Sequence, residues 1–127
     1  MKVLIVDDSK FLRKAVSTLL KSRGYSVCEA ADGETALATA AQEQPDVILL
    51  DMILPKISGT DVLRRLRRDA STTAIPVVML TGIANDDELR AAFAAGPNRC
   101  LLKDNLQLSE VTLALEQAAA GRNQLPV

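Results

Sequence analysis

The chain has 127 residues, 48% of them hydrophobic and 24% charged, with a net charge of −1; this suits one domain with a sizeable core rather than two, and the charge supplies no overall field for nucleic acid or a membrane. Histidine is absent and aromatic residues are 2%, which removes the commonest general base and zinc ligand and leaves little for stacking single-stranded bases. The apolar runs fall far short of the ~20 residues that a spanning helix needs, and Met1-Lys2 leads into a strand without the shape of a signal peptide, so a cytoplasmic protein is expected.

The first predicted element is the strand Val3-Leu4-Ile5-Val6, short and rich in β-branched residues. It runs directly into Asp7 and Asp8, two adjacent negative charges that repel unless something positive joins them. A helix follows, with Phe11, Leu12, Ala15, Val16, Leu19 and Leu20 read as one apolar face. Ser9 or Asp8 can cap its start and Gly24 follows its end. Ser26-Val27-Cys28-Glu29 is the second strand, and Asp32-Gly33 opens an Ala-rich helix that must stop by Pro45. The third strand, Val47-Ile48-Leu49-Leu50, ends at Asp51. Pro55 and Gly59 either shape the loop beside Asp51 or merely punctuate a turn.

Ser58 can cap a third helix that carries Val62, Leu63 and Leu66 inward. Its Arg64, Arg65, Arg67 and Arg68 read as a solvated face, cations being favoured near a helix C-terminus. Val77-Val78-Met79-Leu80 is the fourth strand, followed by Thr81 and Gly82. Gly82 either leaves room for an incoming group or is a plain turn glycine. Asn85 can cap a fourth helix, with Asp86, Asp87 and Glu88 in its positive first turn. Cys100-Leu101-Leu102 is the fifth strand and Lys103 follows it. A fifth helix runs from about Gln107 to Ala120 and stops at Gly121, so the domain spans 1–121 and residues 122–127 form a tail or the start of a linker.

Alternating strands and helices predict an α/β fold with right-handed crossovers. Continuously apolar strands predict a parallel sheet covered on both faces. Ligands in such sheets sit beyond the carboxyl ends of the strands. Five reactive side chains follow strand ends: Asp7, Asp8, Asp51, Thr81 and Lys103. Clustered carboxylates call for a hard divalent cation, and Mg²⁺ binds through one or two carboxylates, waters and a phosphoryl oxygen. Lys103 adds a fixed positive charge and Thr81 a donor. The set suits a phosphoryl group arriving on a carboxylate nucleophile.

The Asp-Asp pair, "LLDMILPKISG", "VVMLTG" and "LLK" occur in that order and resemble the receiver domain of two-component response regulators, of the chemotaxis-regulator type. The resemblance covers Lys2 to about Ala120. It implies a three-layer, doubly wound (βα)5 flavodoxin-like fold with strand order 2-1-3-4-5. It implies that Asp51 is phosphorylated by a sensor histidine kinase or a histidine phosphotransfer protein. Asp8, Asp51 and the Ile53 backbone carbonyl would hold Mg²⁺, with Asp7 acting through water. Lys103 would pair with the phosphoryl oxygens, Thr81 would hydrogen-bond one of them, and Gly82, Cys100, Pro55 and Gly59 would support the site. The output would be a change in a pre-existing two-state balance, read by a downstream protein, a covalently linked output domain or a phosphorylation-linked dimer. No membrane contact and no direct nucleic-acid binding by this domain are expected. The protein would be no enzyme beyond promoting its own phosphorylation and dephosphorylation. The implied order also puts Cys28 and Cys100 on opposite edge strands, roughly four spacings of ~4.8 Å apart, beyond the ~7 Å limit for a disulfide. Both are otherwise read as small buried apolar residues.

Three departures from the family pattern stand out. Asp104 replaces the usual proline after the lysine, and a trans Lys103–Asp104 bond is expected because a cis non-proline bond costs roughly 3 kcal/mol. Cys100 replaces the usual aromatic residue, which removes the rotating ring. Ile53 and Ile83 cannot orient an attacking water, so slow self-dephosphorylation is expected. "LLKD" and "ALEQAAAG" also resemble receivers that precede a helix-turn-helix DNA-binding domain, so the alternative reading is a receiver fragment of such a regulator or of a hybrid kinase. A haloacid dehalogenase-type phosphatase would want an aspartate where Ile53 stands. A flavin mononucleotide site would be repelled by Asp7 and Asp8, and a pseudo-receiver would have lost one of the five residues, none of which is lost.

Overall fold

The computed structural model describes residues 1–82, 99–103 and 106–122. Its strands are β1 (Lys2–Val6), β2 (Ser26–Ala30), β3 (Val47–Asp51), β4 (Val77–Thr81) and β5 (Arg99–Leu102). They form one parallel sheet in the order β2-β1-β3-β4-β5. The described helices are α1 (Lys10–Ser22), α2 (Gly33–Glu43), α3 (Gly59–Arg68) and α4 (Leu108–Arg122); α4 is the fifth helix of the sequence reading. The helix expected from Asn85, Ile83 and the Lys103–Asp104 bond all lie outside the described residues.

The two faces of the sheet explain the continuous apolarity of its central strands. Successive residues of a strand point to opposite sides. Leu4, Val6, Ile48, Leu50, Val77 and Met79 therefore join Ala36 and Ala40 of α2 and Val62, Leu63 and Leu66 of α3. Val3, Ile5, Val47, Leu49, Val78 and Leu80 join Val16 and Leu20 of α1 and Val111, Ala114 and Leu115 of α4. Every residue of β3 and β4 is buried, whereas β2 and β5, at the edges, are half-covered. None of the described helices is long and apolar enough to cross a membrane.

Helix starts follow the capping chemistry of the chain. Ser9 Oγ accepts from Leu12 N–H at 3.2 Å, Asp32 Oδ1 from Thr35 N–H at 2.8 Å, and Ser58 Oγ from Asp61 N–H at 3.2 Å. Each such cap contributes about 1 kcal/mol. Gly24, at φ +86°, takes the left-handed turn that follows α1.

Three sequence expectations need correction. Phe11 is 83% exposed rather than inward. It lies nine residues before buried Leu20, and nine residues at 3.6 per turn place it on the opposite side of α1. Cys28 and Cys100 are half-buried free thiols rather than fully buried; each packs against the α2–α3 core from an edge strand, and burial pushes both thiols up. Arg67 is not part of a solvated face: its Nη1 donates to the carbonyls of Ile75 at 2.7 Å and Thr73 at 3.2 Å. Burial lowers its pKa, and the contact ties α3 to the segment entering β4.

Candidate functional site

The carboxyl ends of the strands bring together one acidic cluster. Asp7 follows β1, Asp51 ends β3, Thr81 ends β4 and Lys103 follows β5. One carboxylate oxygen from each of Asp7, Asp8 and Asp51 lies within 4.8 Å of the others. Asp7 and Asp51 are buried and Asp8 is exposed. Lys103 Nζ donates to Asp51 Oδ2 at 2.7 Å and lies 3.2 Å from Asp7 Oδ2. Lys103 N–H donates to the Thr81 carbonyl at 2.8 Å, so the end of β4 fixes the root of the lysine. The Thr81 side chain is buried at this edge.

Each buried carboxylate is held by a nearby backbone amide. Ser9 N–H donates to Asp7 Oδ1 at 2.8 Å, and Ile53 N–H to Asp51 Oδ1 at 3.1 Å. Ile53 itself is 60% exposed. Asp7 Oδ2 is buried without a hydrogen-bond donor. The Lys103 ammonium is at ion-pair distance from it, 3.2 Å, in a direction outside hydrogen-bond geometry. A buried, unsatisfied carboxylate oxygen is costly. An oxygen-only donor set with such an oxygen fits a hard cation such as Mg²⁺.

The charges pull against one another. Burial pushes the Asp51 carboxyl up and the Asp7 charge adds to it; the Lys103 ammonium and the Ile53 amide hold it down, and the balance is raised. Burial works against the Lys103 ammonium, but its hydrogen bond to Asp51 and the charges of Asp51 and Asp7 outweigh this and raise its pKa. Among the described residues three carboxylates face one ammonium, which leaves a negative surplus.

The supporting residues differ in how tightly they touch this pocket. A side chain at Gly59 would collide with the Asp51 carbonyl and come within 2.8 Å of Met52 Cα. Gly59 N–H also donates to Met52 O at 2.9 Å, so α3 begins pressed against the backbone of the acidic strand end. The Pro55 carbonyl accepts from Ile57 N–H at 2.8 Å, around Lys56 at φ +69°. A side chain at Gly82 would meet nothing nearer than Lys103 Cδ at 4.0 Å, so its fit among the described residues does not demand glycine. Cys100 pairs with Met79 in the sheet and belongs to the α2–α3 core rather than the pocket. Arg13, which the sequence reading passed over, reaches back from α1 to the Asp7 carbonyl at 2.6 Å. A cation in the second turn of a helix leaving an acidic strand end was the available signal, but such residues are usually solvated.

Residues 3–116 match the profile of the response regulator receiver domain. The chain is 42% identical over 102 residues to the DNA-binding dual master transcriptional regulator RpaA of Synechocystis, a match covering 80% of this chain and 42% of RpaA. It superimposes on chemotaxis protein CheY4 of Vibrio cholerae with a TM-score of 0.84 at 32% identity, covering 92% of this chain and 97% of CheY4. The receiver domain of sensor histidine kinase PA1611 from Pseudomonas aeruginosa, with a magnesium ion coordinated in its active site cleft, gives 0.85 at 28% identity over 94% of this chain and 97% of that one. The chain spans between 15% and 42% of the length of three of its curated relatives.

Proposed function

The chain belongs to the response regulator receiver domain family, and from that membership we propose that it is a phosphorylation switch whose acceptor is Asp51. The observation that carries this reading is the buried Asp51 carboxylate at the end of β3, 2.7 Å from the Lys103 ammonium and within 4.8 Å of the Asp7 and Asp8 oxygens. An oxygen of Asp51 attacks the phosphorus of a phosphohistidine on a sensor histidine kinase or a histidine phosphotransfer protein. A P–O bond forms as the P–N bond breaks, and the imidazole leaves with its electron pair and takes a proton.

Mg²⁺, held by Asp8, Asp51 and the Ile53 carbonyl with Asp7 through water, would screen the negative surplus and draw a phosphoryl oxygen toward the nucleophile. Lys103 exchanges its bond to Asp51 for one to a phosphoryl oxygen, and the Thr81 hydroxyl donates to another. Phosphorylation adds about −1.5 to −2 charge at one point, which biases a pre-existing two-state balance toward its second state. A downstream protein, a linked output domain or a second copy of the chain reads the result in the cytoplasm. The product is a signalling state, and the only chemistry promoted is the gain and loss of this one phosphoryl group. A second reading, that this is the receiver of a DNA-binding regulator, is favoured by the match to RpaA, of which the chain spans 42%.

The test is mobility on phosphate-affinity gels after treatment with a small acyl phosphate and Mg²⁺. The parent should shift and Asp51→Asn should not. A shift of Asp51→Asn would refute Asp51 as the acceptor.

A further inference from the structure

We infer that Arg13 is a positioning residue for the cation site, setting the direction of Asp8 through the Asp7–Asp8 peptide; this rests on the reading of Asp8 as a cation ligand. The three carboxylates are not held alike. Asp7 is fixed by the Ser9 amide and Lys103, and Asp51 by the Ile53 amide and Lys103. The Asp8 carboxylate is exposed and, among the described residues, makes no hydrogen bond or ion pair. Its direction therefore rests on its backbone.

That backbone lies where the ladder of the sheet ends. Asp7 N–H still donates to the Ala30 carbonyl at 3.2 Å. The next group along the chain, the Asp7 carbonyl, belongs to the peptide that carries Asp8. Arg13 Nη1 donates to this carbonyl at 2.6 Å, a charge-assisted bond. The guanidinium is itself anchored, because its Nε donates to Glu29 Oε1 of β2 at 3.2 Å and its side chain is only 15% exposed. A planar fork held on one edge by β2 and on the other by the Asp7 carbonyl limits rotation of the Asp7–Asp8 peptide. Partners that orient ligands in this indirect way commonly account for ten- to a hundredfold in metal affinity.

The sign of the effect separates positioning from simple electrostatics. Removing a cation beside an acidic pocket should, by charge alone, tighten Mg²⁺ binding; loss of positioning should weaken it. The experiment is calorimetric titration of the metal-free protein with Mg²⁺ alone, paired with urea unfolding in chelator. Arg13→Met should bind about tenfold more weakly while still folded, and Arg13→Lys, which keeps a donor and the charge, should recover part of the loss. Unchanged or tighter binding by folded Arg13→Met overturns the inference. If Arg13→Met fails to fold, Arg13→Lys decides: with the charge kept, weaker Mg²⁺ binding than the parent supports positioning and unchanged binding overturns it. A parent that binds no Mg²⁺ would overturn the cation reading of the site together with this inference, whereas a parent that binds beside an equally tight variant overturns the inference alone.

Discussion

Asp51 stands in a pocket that both needs its charge and resists it. Its folded-state pKa lies above the ordinary carboxylate value of 3.8, with burial as the main cause. Between those two values the folded chain keeps a proton that the unfolded chain has released. The contribution of this group to stability is therefore complete below about 3.8 and is lost as pH rises through the raised value. In chelator, Asp51→Asn should gain on the parent in urea midpoint as pH is raised through that acid window. A constant difference between the two across the window would count against the shift. Asp8 poses the complementary question, since its charge adds repulsion to a surplus already present. Without metal, Asp8→Asn should be as stable as the parent or up to about 1 kcal/mol more stable, and its Mg²⁺ affinity should fall at least about tenfold. Clear destabilisation in chelator would mean that the adjacent aspartates are a structural pair.

Elements decide how tightly the pocket is framed. The start of α3 rests on the backbone of Asp51 and Met52, with no room for a side chain at Gly59. Gly59→Ala should cost about 1–3 kcal/mol, measured by urea unfolding, and should slow phosphorylation by moving the end of β3. Parent-like stability would show that the loop through Pro55 yields freely. The elements were largely legible in the sequence because each strand is a short apolar run and three helices begin at a serine or aspartate cap. What was illegible has a common cause, dependence on partners distant in the chain or on rotation about a helix axis. Phe11 fits a loose apolar pattern, yet half a turn separates it from the face that α1 buries. Arg67 looks like its neighbours Arg64 and Arg68, and only the fold brings the Ile75 carbonyl to it. Arg13 is the same case, since Glu29 is sixteen residues on and belongs to another strand.

At the scale of the whole molecule, strand order was not readable from periodicity. A run such as Val77-Val78-Met79-Leu80 says that it is covered on both faces, not that it lies between β3 and β5; the order came from the family resemblance, and the sheet agrees with it. The five residues at strand ends were legible because a parallel sheet puts all its carboxyl ends on one edge. The opposite edge carries a different tie. The Tyr25 hydroxyl donates to Glu116 Oε2 at 2.9 Å, joining the entry to β2 with α4 across 91 residues of chain. This bond raises the pKa of the phenol. Tyr25 is the one tyrosine and the chain has no tryptophan, so ultraviolet emission arises from essentially a single phenol resting on a carboxylate that quenches it. The protein thus carries its own optical gauge of how closely α4 sits against the sheet. Because Tyr25 is at the far end of the strands from Asp51, any brightening when Asp51 is modified would register movement delivered along the full length of the molecule.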